Sequence, residues 1–124
     1  MKNLLSFVYE ELRILGVSVY NKQPPTKAEY PFIKYQINQS YRETYPSVYS
    51  LTIDVWDRND STYRVENLTD KVDSLMENLT LIDECMSITS KRQTRLNVSD
   101  PDAEIKRRRL EYQLRVFRQC KGVN

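Results

Sequence analysis

Hydrophobic and polar positions change period several times along this chain, and the changes mark its elements. Leu5, Val8, Leu12 and Leu15 recur from Leu4 onward with Glu10, Glu11 and Arg13 between them, which predicts an amphipathic helix about one face wide. Gly16 follows as a left-handed C-cap. Val17, Val19 and Tyr20 could begin a short extended piece, and residues 21–31, with Pro24 and Pro25, predict a loop because proline continues neither a helix nor a central strand.

From Pro31 the period becomes two. Ile33, Tyr35 and Ile37 fall on one side of an extended backbone, Lys34, Gln36 and Asn38 on the other. The cleanest alternation runs from Val48 to Arg58, with Tyr49, Leu51, Ile53 and Val55 opposed to Ser50, Thr52, Asp54 and Trp56. Two such runs joined through 40–47 predict an antiparallel hairpin. After a turn at Asp57 to Asp60, with Ser61 and Thr62 offering N-caps, Val65, Leu68, Val72, Leu75 and Leu79 step by three and four, which predicts a helix lying on the sheet, with Leu81 to Glu84 as its exit.

The last third predicts a second hairpin, 85–118. Cys85 to Gln93 alternates loosely and reads as a third main strand. Asp100-Pro101-Asp102 has strong turn chemistry. Leu110, Tyr112, Leu114 and Val116 alternate, although Ile105, Leu110, Leu114 and Phe117 also approximate helical spacing; the preceding turn and the partner strand it supplies decide for strand. The expected fold is α+β, a mostly antiparallel sheet of about four strands with an N-terminal and a central helix packed on it, in a single domain of 124 residues.

Composition narrows the chemistry. The net charge of +2 conceals an asymmetry: residues 1–90 carry nine basic and thirteen acidic side chains, residues 91–124 ten and four. Such segregation suits an electrostatically complementary partner or head-to-tail contacts between copies. Lys91, Arg92, Arg95, Lys106, Arg107, Arg108, Arg109 and Arg115 gather on the second hairpin, where alternation would line them along one face as an interface or DNA-facing surface. Pro24, Pro25 and Tyr30 make the proline loop a candidate partner-binding loop. The nine tyrosines suit interfaces, each joining apolar area to a polar tip.

Catalysis finds little support. Histidine is absent, glycines number two, and the chain has neither nucleophile elbow nor phosphate-cradling loop, so we expect no enzyme, no catalytic residues and no cofactor. Asp54, Asp57 and Asp60 do not match a calcium loop; we place Asp54 on the solvent side of its strand and the other two in the turn, and expect no metal. Asp102, Glu104 and Lys106 are too compressed for a metal-dependent nuclease set, and a turn followed by a charged strand explains them. Cys85 and Cys120 match no metal or redox spacing and read as reduced thiols. Glu10, Glu11 and Arg13 interrupt the N-terminal apolar stretch before it could serve as a secretory segment or span a bilayer, so no membrane association is expected and the chain should be made, and fold, in a cytoplasm.

Taken in order, the first helix, V-S-V-Y, the proline loop, Y-P-F-I-K-Y-Q, Y-S-L-T-I-D-V-W-D and the covering helix V-x-x-L-x-x-x-V-x-x-L resemble the tail terminator, or tail completion, proteins of long-tailed bacteriophages. The resemblance covers about residues 4–117. It is carried best by Tyr30-Pro31-Phe32, by Ile53-Asp54-Val55-Trp56-Asp57 and by the D-x-E-x-x-R-R pattern from Asp102. It implies a structural virion protein at the head–tail interface, made in the cytoplasm of a bacterial host and assembling with itself as a ring, typically hexameric, either in solution or only on the tail. Such a ring stops tube growth and touches the tail tube protein on one side and the head connector's stopper on the other, with genomic DNA passing through its centre. Two other readings stand beside it: a sibling head-completion protein, and a small nucleic-acid-binding module using the basic hairpin.

Overall fold

The computed structural model describes residues 2–41, 46–82 and 86–118. The elements follow in the order α1 (Lys2–Arg13), β1 (Ser18–Asn21), β2 (Phe32–Tyr41), β3 (Ser47–Arg58), α2 (Tyr63–Met76), β4 (Thr80–Ile82), β5 (Met86–Val98) and β6 (Ile105–Arg118). They build one six-stranded sheet in the order β1-β2-β3-β6-β5-β4, antiparallel except for the β1–β2 pair. Both helices lie on the same face of it.

The alternating rows decide which face that is. Ile33, Tyr35 and Ile37 of β2, Tyr49, Leu51, Ile53 and Val55 of β3, and Leu110, Tyr112, Leu114 and Val116 of β6 are all buried in one cluster with Leu4, Val8 and Leu12 of α1 and Val65, Leu68, Val72 and Met76 of α2. Burying a side chain of this size favours folding by about 1.5–3 kcal/mol. β3 pairs with β6 along its whole length, Ser47 opposite Val116 through Arg58 opposite Ile105. The strand with the best sequence pattern is therefore a central strand, flanked on both sides.

The expectation of about four strands falls short by two. β1 is the short extended piece after α1, held beside β2 in parallel register from Ser18–Phe32 to Asn21–Tyr35. β4 occupies the stretch read as an exit from the helix. Strands of three and four residues carry too few alternating positions to announce themselves. β5 reaches Val98, beyond Gln93, because a register shift between Arg92 and Thr94 resets its alternation.

Helix ends depart from expectation in one respect. Gly16 has φ +79°, as a left-handed cap requires. At α2, Thr62 occupies the N-cap without a side-chain cap bond; the Ser61 hydroxyl instead accepts the Tyr63 amide at 3.0 Å. Leu79 lies beyond the helix but still packs on the core. The peptide Tyr30-Pro31 is cis. Cys85, Cys120 and residues 42–45 of the first hairpin's connection lie outside the described residues. Among the described residues, no helix is long and apolar enough to cross a membrane.

Candidate functional site

The basic residues of the second hairpin do not share one face. The register shift at Gln93 puts Arg92 and Arg95, three apart, on the same side of β5, opposite Tyr112 and Leu110. That side faces α2. Arg92 Nη1 donates to Asp73 Oδ2 at 2.7 Å; Arg95 reaches Glu66 Oε1 at 2.9 Å and Asp70 Oδ1 at 2.8 Å; Arg108 Nε donates to Glu66 Oε2 at 2.8 Å. The Glu77 carboxylate accepts the Arg92 amide at 2.6 Å, and the Tyr112 hydroxyl donates to Asp73 Oδ1 at 2.8 Å.

Much of the charge asymmetry is thus resolved inside the fold, with carboxylates of α2 meeting guanidiniums of the hairpin. The hydrogen bond from Arg108 holds the Glu66 carboxyl below the usual range, against the opposing effect of burial and with help from Arg95. Burial, reinforced by the bond to Asp73, pushes the Tyr112 phenol well above the usual tyrosine range. These contacts clamp a helix onto a sheet and commit three of the eight candidate residues, Arg92, Arg95 and Arg108, to carboxylates of α2.

On the opposite, open face, Asp54 is the hub. Its neighbours in register are Lys34 on β2 and Arg109 on β6. Arg109 binds it with two nitrogens, Nε to Oδ1 at 2.8 Å and Nη2 to Oδ2 at 3.3 Å, while Arg107 and Lys34 stand at 3.7 and 3.8 Å. Asp54 lies on the side expected of it, yet it is 2% exposed because these cations roof it over. The bond to Asp54 raises the Arg109 pKa further. One carboxylate among three cations leaves the cluster positive.

Beside this hub runs an aromatic row. Tyr20 and Tyr30 each contact Phe32, with centroids 5.8 and 5.4 Å away; Phe32 stacks on Trp56 at 5.8 Å, and the Arg107 guanidinium lies 4.4 Å from the Trp56 ring centre. The proline loop folds back over the row. Pro24, Pro25, Tyr30, Phe32, Lys34 and Trp56 wall a cleft of about 260 Å³. Arg58 sits 5.6 Å from the Tyr30 ring centre and holds Asp102 and Glu104 at 3.0 and 3.2 Å, fastening the β5–β6 turn to this end of the sheet. Lys91 and Arg115 border a second hollow of about 360 Å³ with Thr89 and Gln113.

The acidic sets do not converge. Asp57 is a residue of β3 rather than of the turn, fully buried on the helix side, where Arg64 binds it at 2.9 and 2.5 Å; Asp60 is exposed. Asp102 accepts the Glu104 amide at 3.0 Å, which lowers its pKa, and Lys106 turns onto the Ala103 carbonyl. Among the described residues, no three potential metal ligands cluster. Sequence reasoning missed Lys34 and Trp56 as site residues. The signal was available, since both occupy the polar side of strands whose other side is core.

The family model for the tail completion protein gp17 matches residues 10–116. Among solved structures, a chain described as "Virion of native gene transfer agent (GTA) particle" has a TM-score of 0.68 at 16% identity, with 88% of this chain and 90% of that one covered. At that identity the likeness is one of fold. No curated protein sequence matches the chain.

Proposed function

Because this chain belongs to the tail completion protein gp17 family, we propose that it caps the tail tube and joins the tail to the head connector. Membership makes it a structural component of a phage-type virion. The observation that supports the finer reading is the extent of the family match, 10–116, which takes in the end of α1, the central helix α2 and nearly all of both hairpins rather than one shared motif. A terminator works by shape and surface: one side ends the stacking of tube rings, the other receives the head.

The ring, its tube and connector partners, and passage of DNA through it belong to this proposal. A ring of identical subunits needs two different patches per subunit that meet head to tail. The open sheet face and the outer helix surface are two such patches, and they differ in charge and chemistry. Of the candidate cations, Lys91, Arg107, Arg109 and Arg115 lie on the open face, and these are the residues we assign to contacts with partners or with DNA; Lys106, opposite Asp57 in register, falls on the helix side and turns onto the Ala103 carbonyl. An independent nucleic-acid module loses support, because Arg92, Arg95 and Arg108 are held by α2.

Deletion of the gene from its producing phage or particle tests the assignment. Electron microscopy should show full heads separated from tails of irregular length, with joining restored by the protein supplied in trans. Normal particles from the deletion strain would refute it.

A further inference from the structure

We propose that the open sheet face is covered by the helix layer of a second copy, with Ile14 of one copy entering the aromatic cleft of the next and the carboxylates of Glu10 and Glu11 reaching Arg107 and Lys34. This rests on the ring reading above and specifies the contact that would build it.

The cleft is incomplete in one copy alone. Trp56 Nε1 and Arg107 Nε are both buried, and neither has a hydrogen-bond partner among the described residues. They belong to residues facing each other across the β3–β6 ladder, with the guanidinium stacked on the indole. Buried donors are nearly always satisfied, and a turn of the Arg107 guanidinium off the indole would open both of these to an acceptor from outside. Arg107 is also the loosely held arginine of the Asp54 cluster, at 3.7 Å from a carboxylate that Arg109 already binds twice. It can turn to another carboxylate without stripping Asp54 of its partner.

The outer surface of α1 supplies what the cleft lacks. Ile14 is 66% exposed. Glu10 lies one helical turn before Ile14 and makes a single exposed 3.5 Å contact with Arg13. An aliphatic side chain with carboxylates a turn away matches an aromatic cleft rimmed by cations. A cleft of about 260 Å³ between proline and aromatic walls also suits a side chain better than a phosphodiester strand, which is tracked by broad cationic grooves.

Geometry makes the contact head to tail. Leu15 and Val17 share a hollow with Pro31 and Arg64 on the helix side, so the end of α1 lies behind the residue next to Tyr30, at the same end of the sheet as the cleft but on the opposite face. A patch on one face meeting a different patch on the other is a heterologous contact, which does not pair into a dimer but repeats, into a ring where the rotation closes.

Paired cysteines in assembled particles test this directly. Ile14→Cys and Ala28→Cys are placed together in a Cys85→Ser, Cys120→Ser background, and particles are oxidised and run without reductant. A ladder of covalently joined copies ending at one closed multimer is expected. Particles that assemble normally with several copies of the protein but give no ladder would overturn the contact and leave the ring reading standing. A single copy per particle would overturn the ring reading itself. As a second variant, Ile14→Asp should keep the thermal midpoint of the purified chain yet fail to enter particles; its normal incorporation would also overturn the proposal. Finally, salt-sensitive quenching of the single tryptophan, Trp56, by added duplex DNA would assign the face to nucleic acid instead.

Discussion

Asp54 and Arg109, 55 positions apart in the chain, meet across the β3–β6 ladder through two hydrogen bonds of 2.8 and 3.3 Å. The pair does on the open face what Arg108 and Glu66 do on the covered one: it ties the second hairpin to the first half of the chain.

Removing the hub should therefore cost stability from the open face. Asp54→Ala leaves Arg107, Arg109 and Lys34 crowded without a counter-charge, and we expect a loss of about 2 kcal/mol, less than for a wholly buried pair because Lys34 and Arg109 keep some solvent. A urea midpoint lowered at unchanged m-value is the expected result.

Glu66 has a pH signature. Its folded pKa is depressed, so the stability it contributes is fully present above its unfolded value of about 4.3 and is lost as the pH falls through the lower folded value. Glu66→Gln should be less stable than the parent at neutral pH, and the difference should shrink as the pH drops below about 4. Thermal midpoints measured across that range check this, and a difference independent of pH would show that the ion pairs are not its source.

Tyr112 behaves in the opposite sense. Its phenol pKa is raised by burial, so its contribution is complete below about pH 10 and declines as the pH rises further, when the unfolded chain loses the proton more readily. Tyr112→Phe should lose about 1 kcal/mol at neutral pH, with Asp73 deprived of one donor but still bound by Arg92. The variant should also show less of the alkaline decline.

Lys91 and Arg115 are exposed, and neither makes an ion pair among the described residues. The double reversal Lys91→Glu, Arg115→Glu should leave the thermal midpoint nearly unchanged, since surface substitutions of this kind cost within about 0.5 kcal/mol. If the open face attends DNA or a partner, particle titre should fall at least about tenfold, the equivalent of 1.4 kcal/mol in a coupled equilibrium. Unchanged titre would remove these two residues from the functional surface.

The sequence by itself determined the elements long enough to show a period, and with them the core rows. Leu51, Ile53 and Val55 had to face the same way because alternate residues of a strand do. Val65, Leu68 and Val72 had to form one stripe because a helix turns every 3.6 residues. It also carried, in Tyr30-Pro31-Phe32 and Ile53 to Asp57, enough of a family pattern to point to a tail completion protein. Tertiary structure alone decided what the charges do. A one-residue register shift at Gln93 brought Arg92 and Arg95 to the same face, and no local periodicity announces such a shift. Packing both helices on one side made Arg92, Arg95 and Arg108 partners of α2, and left Lys34, Arg107 and Arg109 around Asp54 on the face that stays open. Alternation tells residues apart; only the folded layers tell which side meets the rest of the chain and which remains for another molecule.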